Sequence, residues 1–218
     1  MNVKEIDELR QKLQQSCDML IKKIGKIQIG TPELFPYGWR KAAKGRTVWR
    51  IVEEVITQNL EKHHGEFKVD SVQASDSEVT VYDMKCMYGT HEAYINIKSA
   101  VIGGKRQKDD ISKADGLKAF YAEDENRQFF VATFFIQFNK DMSIEIAKAV
   151  VFPIAWIPDI YVNPSNNGNL QSAYYKELKD AVKRTNKTFL PLFQKAIEVA
   201  NKKKLQKQRK KRKQEKKK

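Results

Sequence analysis

A domain of the α/β (α+β) class with a mixed central sheet is the fold that this sequence predicts, and three observations predict it. Residues Val3–Ile24 place apolar side chains at helical spacing. After His63 the pattern changes to two-residue alternation and short apolar runs, as in strands. Phe129–Phe138 is almost continuously apolar, which is typical of a strand buried on both faces. This order of elements indicates helices that flank a mixed sheet.

The first third of the chain is predicted to contain two helices joined by a loop. The first helix spans Val3–Ile24. Glycine and proline residues from Gly25 to Pro36 interrupt its pattern and indicate the loop. A second helix is predicted from about Thr47 to His63, where apolar residues again recur with a helical period.

Three strands follow, and we expect them to form an antiparallel meander. They are Phe67–Gln73, Glu78–Lys85 and Glu92–Ala100, with turns at Ser75–Ser77 and Tyr88–Thr90. Because successive side chains of a strand point to opposite faces, each strand is expected to present alternate residues to the core.

The second half of the chain is predicted to contain further strands between helices. The polar loop Gly103–Asp110 precedes a predicted helix at Ile111–Tyr121. Two more strands are expected at Phe129–Phe138 and Ile144–Phe152. A long loop and two closing helices complete the prediction, at Pro153–Asn169, Gln171–Lys187 and Leu190 to about Lys203.

Length and charge separate a folded body from a basic end. The length favours one domain, residues 1–201, with C-terminal helices within about 171–201. Residues 202–218 hold twelve Lys or Arg and one Glu, so they carry +11 of the net charge of +14. They are predicted to be a disordered basic tail. Such a tail attracts polyanions without sequence preference, although one that only aids solubility has the same composition.

Cysteine and histidine positions argue against a zinc site or a nucleophilic triad. Cys17 and Cys86 are isolated, and the histidines match no such motif. The N-terminus lacks the pattern of a signal peptide, and no apolar run is long enough to span a membrane. We therefore expect a soluble, cytoplasmic protein that has no membrane partner.

The chemistry is predicted on the hairpin from Asp83 to Lys98. Asn96 and Lys98 are two apart on one predicted strand, so they share a face. A short turn can bring Asp83 beside them. An acid, an amide oxygen and an ammonium at one sheet edge suit phosphodiester hydrolysis with a hard cation such as Mg²⁺. In this hypothesis Asp83 is the main metal ligand, Asn96 and the carbonyl of Ile97 add oxygen, and Lys98 positions or deprotonates water.

The spacing of these residues resembles the PD-(D/E)XK nucleases, especially type II restriction endonucleases. In that family an Asp on one strand precedes an acid-any-Lys triplet on the next, as Asp83 precedes Asn96, Ile97 and Lys98 here. The resemblance covers about residues 45–140. It implies a restriction-endonuclease-like sheet flanked by helices, with a nuclease core at about 45–152.

The resemblance also implies cofactors and partners. They are Mg²⁺, double-stranded DNA as substrate, a homodimer on a two-fold symmetric site and a companion DNA methyltransferase. The helix before the sheet often supplies a Glu in this family. The matching helix carries Glu53 and Glu54, and Glu54 is the choice made from the sequence.

Two positions depart from the family pattern. Tyr82 stands where Pro is usual, at a position that varies in the family. Asn96 stands where Asp or Glu is usual, which removes one charge from the expected metal site. A helix glutamate, Glu54 or Glu53, would restore that charge.

DNA contacts are predicted in three segments. Arginine, lysine and amide side chains read base edges, while cations also hold the phosphates. The segments are a basic stretch with Arg40, Lys41, Arg46 and Arg50; a loop with Lys105, Arg106 and Lys108; and a second loop with Asn163, Asn166, Asn167, Asn169 and Gln171. Ordinary turn chemistry explains the last loop equally well.

Two other functions fit the same sequence. One is a non-catalytic nucleic-acid-binding protein, since Asn96 is consistent with an inactive site. The other is a nuclease of the same fold that acts in repair or recombination. The first helix, Val3–Ile24, either supplies a dimer surface or packs on its own domain.

Overall fold

The structure is a computed structural model that describes residues 1–40, 44–75, 77, 80–165 and 168–215. The side chains of residues 44–47 and 211 lie outside this description. The helices are α1 (Val3–Ile24), α2 (Lys44–His63), α3 (Ala114–Glu123) and α4 (Asn186–Glu215). The strands are β1 (Lys26–Gln28), β2 (Ser71–Ala74), β3 (Met84–Tyr88), β4 (His91–Val101), β5 (Asp109–Lys113), β6 (Gln128–Phe138), β7 (Ser143–Pro153), β8 (Tyr161–Val162) and β9 (Asn169–Ser172).

Helix α1 has the predicted bounds and both of its ends are capped. The Asn2 side chain accepts a hydrogen bond from the Glu5 backbone, and the Glu5 side chain accepts one from Asn2. Gly25 ends the helix with φ of 61°, a conformation that favours glycine. Its apolar stripe is buried within its own domain, at Ile6, Leu9, Leu13, Cys17 and Leu20. The apolar stripe of this helix thus packs on its own domain, one of the two roles considered for it.

The main sheet has six strands in the order β1-β7-β6-β4-β3-β2. The β4–β6 pair is parallel and the other pairs are antiparallel, so the sheet is mixed, as predicted. Strands β2, β3 and β4 form the expected meander. The coarse fold class is confirmed: a mixed sheet flanked by helices.

Strand β6 is central and separates two hydrophobic cores. Phe130 and Phe134 face a core that α1 and α2 cover. Phe129 and Val131 face a second core beneath α3 and α4. Because alternate side chains enter opposite cores, both faces must be apolar, which explains the continuous apolar run.

Both cysteines lie in the first core. Cys17 on α1 and Cys86 on β3 are almost fully buried and unbridged. Burial raises the pKa of both thiols, because a thiolate in an apolar interior loses its hydration.

Two predicted helices are corrected. Residues Ile111–Lys113, predicted as the start of a helix, belong to β5, and the helix begins at Ala114. The predicted helix Gln171–Lys187 is absent: Gln171 lies in β9, and a short 3₁₀ helix spans Leu178–Asp180. The reason is long-range pairing, because β5, β9 and β8 form a second, three-stranded sheet.

The predicted strands before the hairpin are displaced. Phe67 ends a 3₁₀ helix, and β2 begins only at Ser71. Strand β3 begins at Met84 rather than Glu78 and continues to Tyr88. Glu78 itself lies outside the described residues. Asp83 consequently precedes a strand instead of ending one.

The basic C-terminal segment is helical rather than disordered as far as Glu215. Helix α4 buries Phe189, Phe193, Ile197 and Ala200 at helical spacing. Beyond Ala200 the described side chains are almost all exposed, so this part has no core contact of its own. None of the helices in the described part of the chain is both long and apolar enough to cross a membrane.

Candidate active site

The site forms where β4 loses its neighbour on one edge. The β3–β4 register begins with Met84 opposite Ile95, whereas β4 pairs with β6 as far as Val101. Asp83 occupies the open edge: its N–H donates to the Ile95 carbonyl at 2.8 Å. The Asp83 carboxylate accepts a hydrogen bond from the Ile97 N–H at 2.5 Å. Backbone bonds thus fix this carboxylate at the point where the strands diverge.

A cleft of about 480 Å³ lies between this edge and helix α2. Asp83 and Lys98 line it from the sheet, while Trp49, Arg50 and Glu53 line it from the helix. Trp49 and Glu53 are four residues apart, so one helical face carries both. The cleft therefore combines two carboxylates, two cations and an aromatic ring.

Burial perturbs the three central charges. The pKa of Asp83 is raised by desolvation, against the opposing effects of the Ile97 N–H, Lys98 and Arg50. The pKa of Glu53 is raised by desolvation and then by the like charge of Asp83. Desolvation lowers the pKa of Lys98, although carboxylates around it act in the other direction. Charging any of these three side chains therefore costs more free energy in the folded chain than in the unfolded chain.

Glu53, rather than Glu54, faces the cleft. Glu54 is exposed, and its carboxylate accepts a hydrogen bond from the Gln58 amide at 2.7 Å. The structure therefore does not bring Glu54, the choice made from the sequence, to Asp83. Successive side chains of a helix point about 100° apart around its axis, so the adjacent Glu53 and Glu54 point in different directions.

Asn96 lies beside a different cavity. Its Nδ2 donates to the Val81 carbonyl at 3.0 Å, and its buried Oδ1 has no hydrogen-bond partner among the described residues. Asn96 lines a smaller cleft of about 230 Å³ together with Asp110 and Lys98. Lys98 lines both clefts, so it is the side chain that the two share.

Asp110 is a neighbour of Lys98 that the sequence analysis missed. It was placed in a polar loop, but it lies in β5 and contributes an opposite charge to the surroundings of Lys98. The Gln171 amide donates to the Asp110 carboxylate at 2.6 Å across the β5–β9 pair. No local signal predicts this, because the two partners are 61 residues apart.

The predicted amide-rich DNA loop is divided by the fold. Asn169 and Gln171 lie in β9, and Asn169 lines the smaller cleft beside Lys98. The Asn163 side chain accepts a hydrogen bond from the Ser165 N–H, as in an ordinary turn. Asn166 and Asn167 lie outside the described residues.

The loop with Lys105, Arg106 and Lys108 borders a further cavity of about 680 Å³, which Lys98 also lines. Lys105 and Arg106 line this cavity directly. Arg106 is held by Glu177 at 2.8 Å and Asp180 at 3.1 Å. Lys108 lies over the Tyr161 ring. Two of the three predicted phosphate contacts thus already have partners within the chain.

The basic stretch before the cleft pairs arginines with aromatic rings. Arg40 lies over the Tyr37 ring at 5.6 Å, and Arg50 over the Trp49 ring at 4.1 Å. Lys41 and the side chain of Arg46 lie outside the described part of the chain. Of the four cations predicted here, the structure places Arg50 in the cleft.

The residues of the cleft fit a Mg²⁺ ion in chemical type. Among the described residues no group of three or more His, Cys, Asp or Glu is placed to hold a metal. Mg²⁺ usually takes only one or two carboxylates and keeps several waters. Asp83 and Glu53 supply two, each with a raised pKa that a nearby cation would lower. The Ile97 carbonyl faces the same edge as its N–H, since both groups of a strand residue do.

Comparison with protein-family models finds no match for this chain, and comparison with curated protein sequences finds none either. The family resemblance therefore rests on the residues themselves.

Proposed function

We propose that this chain is a Mg²⁺-dependent endonuclease that hydrolyses phosphodiester bonds of double-stranded DNA at a short specific sequence, like a type II restriction enzyme. One observation carries the proposal. Asp83, Glu53 and Lys98 line a single cleft at an open sheet edge, with the Ile97 backbone between them. Two carboxylates beside a half-buried ammonium suit a reaction at a phosphate, which needs both a cation site and a proton-handling group.

In this proposal Asp83, Glu53 and the Ile97 carbonyl hold the metal. When bound, Mg²⁺ supplies Lewis-acid polarisation of the scissile phosphate. The Ile97 N–H keeps the Asp83 carboxylate turned toward the open edge, which makes the oxygen arrangement rigid before substrate arrives. Asn96 contributes no charge, and Glu53 supplies the acid that this position lacks.

Lys98 is the proposed proton-handling and phosphate-facing group. Its pKa is lowered by burial, so at a given pH its ammonium releases a proton more readily than that of an exposed lysine. In the ammonium form it offsets charge on the phosphate, and in the amine form it accepts a proton from water. Lys98 lines the cleft that contains Asp83 and Glu53, where both roles would act.

The proposal is tested with supercoiled plasmid and Mg²⁺. We expect the wild type to give discrete fragments, while Lys98→Ala and Asp83→Ala give none and still bind DNA. Loss of a group acting in the transition state lowers the rate by about 10²-fold or more. Normal cleavage by both variants would show that the site is assigned wrongly.

A non-catalytic DNA-binding protein is the second candidate, and Asn96 favours it. The amide removes a charge that related nucleases use, and its Oδ1 has no partner among the described residues. Such a protein would shift DNA in a gel and cut none of it with any divalent cation. A dimer seen by ultracentrifugation and a methyltransferase encoded next to this chain would favour the restriction enzyme instead.

A further inference from the structure

Trp49 is a large aromatic side chain left exposed inside the candidate cleft. It is 39% exposed although it belongs to a helix whose inner face is buried. The same cleft contains Glu53, Asp83 and Lys98. Four residues of α2 separate Trp49 from Glu53, about 6 Å along the helix axis. The ring therefore lines the same cleft as the proposed metal ligands, one helical turn from Glu53.

The Trp49 ring is also prepared for stacking. The Arg50 guanidinium lies 4.1 Å from its centroid, which restricts the ring and places a cation beside the cleft. The segment from residue 34 to residue 52 contains five Lys or Arg and no acid. An aromatic ring with a cation beside it, here Trp49 with Arg50, is the combination that binds the bases and phosphates of a single strand together.

We infer that Trp49 stacks on an unpaired base next to the phosphate held by the cleft. The inference rests on the proposed function and narrows its substrate to DNA that is unstacked, or that the protein unstacks, at the reacting position. A nucleic acid suits this surface better than a second copy of the chain. In a two-fold dimer interface the same patch meets itself, so the Arg50 guanidinium would face its own copy, a like charge.

The first test measures oligonucleotide affinity by fluorescence anisotropy in EDTA, where no cleavage occurs. The probe is a single-stranded 12-mer, and the control ligand is a 12-mer of abasic sites with equal charge. We expect Trp49→Ala to bind the 12-mer about 5-fold to 100-fold more weakly. Trp49→Phe should retain most of the affinity, and both variants should bind the abasic ligand as the wild type does.

Ile51→Ala is the matched control. Ile51 lies on the same helix with a similar exposure, 42%, and does not line the cleft. Its replacement should leave both affinities unchanged. If Ile51→Ala and Trp49→Ala lose the same affinity for the 12-mer, the stacking role is wrong. It is also wrong if Trp49→Ala binds the abasic ligand more weakly than the wild type does.

Intrinsic fluorescence gives an independent readout. Trp156 is buried and Trp39 is half-buried, so Trp49 is the most exposed of the three tryptophans. We expect the 12-mer to quench wild-type emission and the Trp49→Phe variant to lose most of that quenching. Quenching that survives in Trp49→Phe would contradict the inference, as would a Trp49→Ala variant with a changed oligomeric state.

Duplex substrates separate this inference from the proposed function. A duplex with one mismatched pair should bind the wild type more tightly than a fully paired one, and Trp49→Ala should lose that preference. Plasmid cleavage with no preference for the mismatch would refute stacking and leave the nuclease standing. A mismatch preference without any cleavage would refute the nuclease and leave stacking standing.

Discussion

At the residue scale, the site depends on which of two adjacent glutamates faces the sheet. Glu53 lines the cleft, whereas Glu54 is exposed and bonded to Gln58. The sequence alone cannot distinguish them, because both lie between the apolar positions of one amphipathic helix. The open-edge position of Asp83 is likewise set by where β3 begins, which depends on tertiary pairing. Asp83 and Lys98 themselves were predictable from their spacing along the hairpin.

Glu53→Gln and Glu54→Gln form a matched pair that tests this distinction. A ligand that binds only the folded state raises the melting temperature with its concentration. We expect millimolar Mg²⁺ to raise the melting temperature of the wild type and of Glu54→Gln. The shift should be lost in Glu53→Gln and in Asp83→Ala. The same shift in Glu53→Gln would exclude Glu53 from the metal site.

A second residue-scale prediction concerns pH and stability without metal. Burial raises the folded-state pKa of Asp83 above its ordinary 3.8. At pH values between the ordinary and the raised pKa, the native state therefore binds more protons than the unfolded state. The contribution of Asp83 to the stability of the folded state is therefore fully present below pH 3.8. It is lost as the pH rises through the raised pKa. Asp83→Asn removes this loss.

The measurement is urea unfolding in EDTA at several pH values from 4 to 7. The free energy of unfolding of Asp83→Asn should increase relative to that of the wild type as pH rises through this range. A difference that stays constant with pH would mean that Asp83 ionises in the folded state as it does in the unfolded chain.

At the element scale, the periodic helices and buried strands were predictable, and the second sheet was not. Helix α1 and strands β6 and β7 have strong patterns of their own, and their positions agree with prediction within a residue or two. Strands β5 and β9 exist because they pair with each other. Their short segments carry no pattern that outweighs the helical spacing around Ile111. Asp110, the residue missed at the site, belongs to this sheet, as does its partner Gln171, which was predicted as a DNA contact instead.

Helix α4 gives the element-scale prediction. Its core contacts end at Ala200, and residues 202–218 carry +11. Deleting 202–218 should leave the urea midpoint nearly unchanged, since none of the side chains that the structure describes in this segment is buried. Non-specific DNA affinity should fall, and the dependence of log K on log salt should become shallower. A large loss of stability would show that the segment packs on the body, and an altered cleavage site would show that it reads sequence.

At the scale of the whole molecule, one sheet divides two hydrophobic cores, and one of its edges borders the candidate cleft. The mixed sheet with helices on both faces follows from element order and from the apolar character of β6. Lys98 lines three cavities, which could not be predicted from the sequence, because it requires β4, β5 and α2 to come together. Fold class is thus encoded locally, while the composition of the site depends on contacts between distant segments.

The two buried thiols allow the opening of the first hydrophobic core to be measured chemically. Cys17 lies on α1 and Cys86 on β3, and both are buried in the core that α1 and α2 cover. A thiol reagent reaches them only when that core opens, so the labelling rate reports the population of open molecules. We expect Ellman's reagent to modify both thiols on the order of 10³-fold more slowly in buffer than in urea. Fast modification of Cys17 alone would mean that α1 detaches while the sheet stays intact.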